Sequence, residues 1–113
     1  MSVPPVPIHV PDPEAAARSA LADFLAFCAR ETGNTFPDWE TFHRWSAACW
    51  ADFWRLFLRW SAPDVEGEAE PVCVGQAIET AAFFPGLLLS YAGNLLRPLP
   101  GDDDAVALVS RDE

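Results

Sequence analysis

From Pro13 onward the apolar residues return at helical spacing. Ala17, Leu21, Phe24, Phe27 and Cys28 share one side of a helical period, and Arg18, Asp23 and Arg30 fall mostly elsewhere. Asp12 stands where an N-cap is expected, Pro13 suits the first helical position and Glu14 the first turn. Gly33 is placed as the left-handed residue that ends a helix. This pattern predicts one amphipathic helix over about residues 13–32. Beyond Thr35-Phe36-Pro37-Asp38, a second helix over about 37–45 sets Trp39, Phe42 and Trp45 on one face. A third, over about 47–61 and capped by Ser46, carries Trp50, Phe53, Trp54, Phe57 and Trp60 as an apolar stripe. Asp52, Arg55 and Arg59 lie opposite that stripe, with Asp52 and Arg55 three apart and able to pair. Pro63 stops this helix.

The helical period is then lost. Residues 62–72 read as a polar, acidic loop, Val72 to Val74 as a short strand, and Phe84-Pro85-Gly86 as a turn. A short helix over about 90–96 ends before Pro98 and Pro100. Gly101 to Asp104 is a break, and residues 105–110 alternate like a strand with no convincing neighbour beyond Val72 to Val74. Residues 1–11, with four prolines, form an extended and flexible lead-in. The expected fold is mainly α: a bundle of three to four short helices in one domain over 12–113. Its short terminal strand or strands would pair with another domain or chain.

Composition narrows the partners. Half of the 113 residues are apolar and 12% are aromatic, enough for a packed core. The net charge of −10, with seven scattered arginines and no lysine, argues against nucleic acid. Three cysteines with no CxxC pair fit free thiols in a reducing compartment, and those in apolar helical stretches are expected to be buried. The N-terminus lacks the basic and apolar regions of a signal peptide. Pro85 and Gly86 interrupt the apolar run Ala81 to Leu89, which is too short to span a bilayer. The expectation is a cytoplasmic protein with no membrane partner.

Candidate chemistry is sparse. His43 has no second histidine or nucleophile at useful spacing and reads as a partly buried helix residue, while His9 is solvated in the lead-in. The scattered His and Cys do not make a zinc site, and Asp102-Asp103-Asp104 lacks the alternation of a calcium loop. No glycine-rich phosphate loop and no G-x-S-x-G occurs. No catalytic, cofactor-binding or metal-binding residue is therefore expected. Large aromatics at helical spacing point instead to core or interface. The packing and interface candidates are Trp45, Trp50, Phe53, Trp54, Phe57 and Trp60 in the helical half. Phe84, Leu87, Leu88, Tyr91 and Asn94 join them further on.

Four stretches in order resemble the N-terminal region of acetoacetyl-CoA synthetase-like, AMP-forming acyl-CoA synthetases. ARSALADFLAFCARETG followed by FPDWETFHRWSAACWADFWRLFLRW is similar to that family's leading helix and its W-S-V…FW block, with Trp45-Ser46 and Phe53-Trp54 in those places. FFPGLLLSYAGNLL resembles W-F-P-G-x-x-L-N-Y-A-E-N-L-L through Phe84, Pro85, Gly86, Leu89, Tyr91, Ala92, Asn94, Leu95 and Leu96. DDDAVALVSRDE resembles the break and first strand that lead into the family's adenylation domain. The chain departs from the pattern at Ser90 and Gly93, where the family has an amide and a carboxylate, and Leu87-Leu88 replaces a more polar pair.

The resemblance implies a non-catalytic N-terminal domain of an ATP-dependent acyl-CoA ligase. It would pack on an adenylation domain of the same or another chain. ATP, Mg²⁺ and CoA are implied only for such a full-length parent; the family's catalytic lysine has no counterpart in a lysine-free chain. Two other readings stand beside this one. In one, a free-standing docking protein derived from that domain recruits a partner enzyme or self-associates through its Trp/Leu surface. In the other, a small helical protein binds an apolar ligand among its aromatics.

Overall fold

The computed structural model describes residues 3–98, 104, 106 and 108–111. It is mainly helical, with three substantial helices, two short ones and two small antiparallel ribbons. The chain forms two compact units, Met1–Ser61 and Ala62–Glu113.

The first unit opens with α1 (Pro13–Ala17), capped by Asp12, whose carboxylate accepts from the Glu14 N–H at 3.1 Å. The single helix expected over 13–32 breaks at Arg18-Ser19. The Ser19 hydroxyl donates to the Ala16 carbonyl at 2.7 Å and accepts from the Ala22 N–H at 3.2 Å. One side chain thus satisfies a carbonyl near the end of α1 and an amide at the start of α2 (Ala20–Thr32), competing with a continuous helical ladder. Gly33 ends α2 as expected, at φ 72°, donating its N–H to Ala29.

Helix α3 (Trp39–Ala48) starts at Asp38, whose carboxylate accepts from the Thr41 N–H at 2.7 Å. Ser46 lies inside this helix and donates to the His43 carbonyl, so it does not cap the next one. Only Cys49 separates α3 from α4 (Trp50–Ser61). Helix α4 packs on both α2 and α3 around Phe24, Cys28, Phe42 and Leu56. The Phe24 ring is the hub: Phe42, Phe53 and Phe57 meet it edge-on with centroids 5.5–6.0 Å away, and Trp60 lies tilted at 5.1 Å. Edge-to-face contacts of this kind add about 0.5–1.5 kcal/mol each beyond simple burial.

The second unit is an interrupted hairpin. Strand β1 (Val65–Gly67) pairs with β4 (Leu87–Leu89), and β2 (Cys73–Val74) pairs with β3 (Ala82–Phe83), both antiparallel. Between the ribbons, the Glu68 N–H donates to Gly86 O and the Phe84 N–H to Val72 O, which keeps the two arms together. A Cβ on Gly67 would lie 2.1 Å from the Gly86 carbonyl oxygen, and φ there is 105°, so this crossing requires glycine. The Leu87 N–H closes the expected turn on the Phe84 carbonyl at 3.0 Å. Helix α5 (Tyr91–Leu95) follows, capped by Ser90.

Three expectations change here. The acidic loop of 62–72 contains β1, and β2 finds its partner in Ala82–Phe83. The strand expected over 105–110 falls partly outside the described residues. Its described members, Val106, Leu108, Val109 and Ser110, are exposed and form no strand.

Candidate interaction surface

Helix α4 has two apolar faces where the sequence pattern showed one stripe. Phe53, Leu56 and Trp60, at i, i+3 and i+7, turn inward; Leu56 is buried and the other two pack half-buried against the core. Trp50 and Trp54, at i and i+4, turn aside and stay 43% and 38% exposed, while Phe57, 37% exposed, lies at the rim with its ring against Phe24. Leu56 was missed because the aromatics dominated the pattern, although its spacing from Phe53 and Trp60 places it with them. Trp45, half-buried, completes the core beside Phe36 and Phe42, with ring centroids at 5.2 and 5.6 Å.

The inward aromatics are anchored by polar groups. The Trp60 indole N–H donates to Asp23 Oδ2 at 2.7 Å, tying α4 to α2. Arg59 reaches Glu31 at 2.9 Å with its guanidinium 5.7 Å from the Phe27 ring centre. Periodicity alone assigned Arg59 to the polar face; its long side chain instead bridges two helices. Asp52 and Arg55 pair as expected. A cleft of about 620 Å³ opens in this unit among Trp45, Cys49, Asp52, Arg55, Leu56 and Asn34.

In the second unit the candidate residues divide by role. Phe84, at φ 47°, and Leu87 are half-buried at the turn and ribbon. Leu88, Tyr91 and Leu96 are 72%, 75% and 77% exposed, and Leu89 and Leu95 are exposed beside them. Asn94 holds this apolar group together. Its Oδ1 accepts from the Asp64 N–H at 2.7 Å, and its Nδ2 donates to the carbonyls of Asp64 and Ser90, each at 2.9 Å. The carboxamide thus pairs with the Asp64 backbone as a neighbouring strand would, and so fixes α5 to the start of β1. Arg97 adds two 3.3 Å bonds to the Ala62 carbonyl. Beside them is a cleft of about 350 Å³ lined by Asp64, Val65, Glu66, Leu88, Leu89 and Ser90.

His43 is exposed, with its ring 6.1 Å from Trp39, rather than partly buried as expected, because α3 turns it away from the core; His9 is exposed too. Cys28 is buried, and desolvation pushes its thiol up to about 11. Cys49 is exposed because it sits at the junction of α3 and α4. The Thr41 N–H bonded to Asp38 holds that carboxyl below the ordinary aspartate value. Among the described residues, no three His, Cys, Asp or Glu are grouped to hold a metal ion. No described helix is long and apolar enough to cross a membrane. Asp102 and Asp103 lie outside the described residues.

No family model and no solved structure matches the chain. Acetoacetyl-coenzyme A synthetase of Rhizobium meliloti (strain 1021) is 36% identical to it over 109 residues. That match covers 95% of this chain and 16% of the length of the synthetase. The chain is therefore homologous to a segment of acetoacetyl-coenzyme A synthetase.

Proposed function

We propose that the chain is the non-catalytic N-terminal domain of an ATP-dependent, acetoacetyl-CoA synthetase-like ligase and packs on the adenylation body. The observation that carries this reading is a match that spans nearly the whole chain while covering a sixth of the synthetase. The exposed apolar residues support it: Leu88, Tyr91 and Leu96 in the second unit are largely exposed, and Trp50 and Trp54 in the first are partly so. ATP, Mg²⁺ and CoA belong to the rest of the ligase. This chain has no lysine and no glycine-rich phosphate loop, so its residues do not fit a nucleotide. On this reading the protein works in the cytoplasm.

The test is a segment exchange. This chain replaces the matched segment of the Rhizobium meliloti synthetase, and acyl-CoA formation and thermal unfolding are compared with the parent and with a segment deletion. The chimera is expected to fold and retain ligase activity, and the deletion to lose stability. A chimera no better than the deletion sinks the reading.

A free-standing docking role draws on the same exposed leucines. It predicts a self-associated species of the isolated chain that Leu88→Asp or Trp54→Ala disperses. Sedimentation velocity would decide it, a monomer at all concentrations counting against self-association.

A further inference from the structure

The second unit combines an exposed apolar surface with unusual charge. Residues 62–113 hold ten carboxylate side chains and two arginines, and one of those, Arg97, donates to the Ala62 carbonyl. The charge meets the apolar surface on the ribbon. Glu66 stands directly opposite Leu88 in the β1–β4 register, and directly opposed residues project from the same face. Asp64, two residues before Glu66, shares its face, and Asp64, Glu66 and Leu88 all line a cleft of about 350 Å³. Among the described residues, no cation pairs with the carboxylates of Asp64, Glu66 or Glu68.

We infer that this cleft receives a cationic side chain, arginine or lysine, from the apolar surface of the ligase body on which the domain packs. The inference rests on the reading proposed above and names the chemistry of the partner. A neutral apolar surface closing over the cleft would strand two carboxylates out of water, a cost that opposes the burial of the leucines. An arginine or lysine side chain satisfies both parts of this face at once. Its methylene stem lies on Leu88, and its charged head reaches Asp64 and Glu66. An anionic partner, or an anionic membrane surface, is repelled by the same carboxylates.

The segment-exchanged ligase tests the idea when it carries Asp64→Asn with Glu66→Gln, and separately Leu88→Asp. The readout is the rate at which protease releases the exchanged segment, measured in parallel on the isolated 113-residue chain. Both variants should shorten the lifetime of the segment in the ligase by about tenfold or more, the loss expected when one side of a desolvated charge pair is removed. The Asn/Gln pair should leave the isolated chain unchanged. High salt should shorten the lifetime of the unsubstituted ligase and leave the Asn/Gln variant nearly indifferent. If Leu88→Asp acts while Asn/Gln does not, the face is covered by a neutral surface and the inference falls alone. The same holds if Asn/Gln acts equally on the isolated chain. If the unsubstituted chimera already behaves like the segment deletion, the reading falls and the inference with it.

Discussion

The two units close themselves in different ways. Met1–Ser61 gathers Phe24, Cys28, Phe42 and Leu56 into a sealed centre, whereas Val72 is the one fully buried apolar residue among the described members of Ala62–Glu113. A helix satisfies its own backbone and is free to commit one face to a shared core. Strands of two or three residues pair along one edge and leave faces and outer edges to be covered by something else. The first unit is therefore held by ring packing. The second is held by hydrogen bonds, at Asn94, Arg97 and the Phe84 turn, and keeps its leucines outward. On the proposed reading, the exposed leucines of the hairpin unit are the part of the segment that a ligase body would cover.

That contrast can be broken. Phe42→Ala removes a ring buried to 2% exposure and should cost about 3–5 kcal/mol of stability in the first unit, read by urea unfolding followed through tryptophan fluorescence. Hydrogen exchange at the Asp64 amide should be unaffected. If that amide opens together with the aromatic core, the two units unfold as one body and the comparison fails.

Asn94→Ala should have the converse effect. It takes away both bonds to the Asp64 backbone and should cost about 1–3 kcal/mol locally, with faster exchange at the Asp64 amide and unchanged urea unfolding of the helices. An unaltered exchange rate would show that α5 is held by something other than this carboxamide.

Cys28 sharpens the picture of the sealed centre. Its thiol ionises near 9.0 when exposed and near 11 when folded. Between those values the unfolded chain has lost the proton that the folded chain keeps. Stability is thus fully present below about 9 and falls as pH rises through about 11. Cys28→Ala should flatten that alkaline slope. At pH 8 a thiol reagent should modify Cys49 well before Cys28. The smallest effect belongs to Asp52→Asn, which breaks an exposed pair with Arg55 and should cost no more than about 0.5 kcal/mol in the same urea assay.

Much of the first unit was legible in the chain. Asp12, Pro13, Gly33 and the recurrence of Phe24 and Cys28 are local signals, and local signals set where helices begin, end and face. The turn at Phe84-Pro85-Gly86 and the short helix near 90–96 were legible for the same reason. What escaped lay in choices between competing local options. Ser19 falls inside the helix expected over 13–32, yet its hydroxyl splits that helix into two. Ser46 looked like a cap and is carried inside α3. The candidate surface was read as residues without roles: Trp50 and Trp54 were not separated from Phe53 and Trp60, and Asn94 was not recognised as a backbone mimic.

By itself, the sequence determined the helical composition, the helix start at Asp12 and stop at Gly33, the turn and the kinship with acetoacetyl-coenzyme A synthetase, because each is written in short-range spacing or in matched residues. Only the tertiary structure decided which side of α4 is covered and that Val65–Gly67 pairs with Leu87–Leu89. It also decided that the two carboxylates share a cleft with two leucines. Those outcomes depend on residues from different elements, about ten or more positions apart, meeting in space, and the free energy of such meetings is carried by packing and pairing that no local pattern encodes.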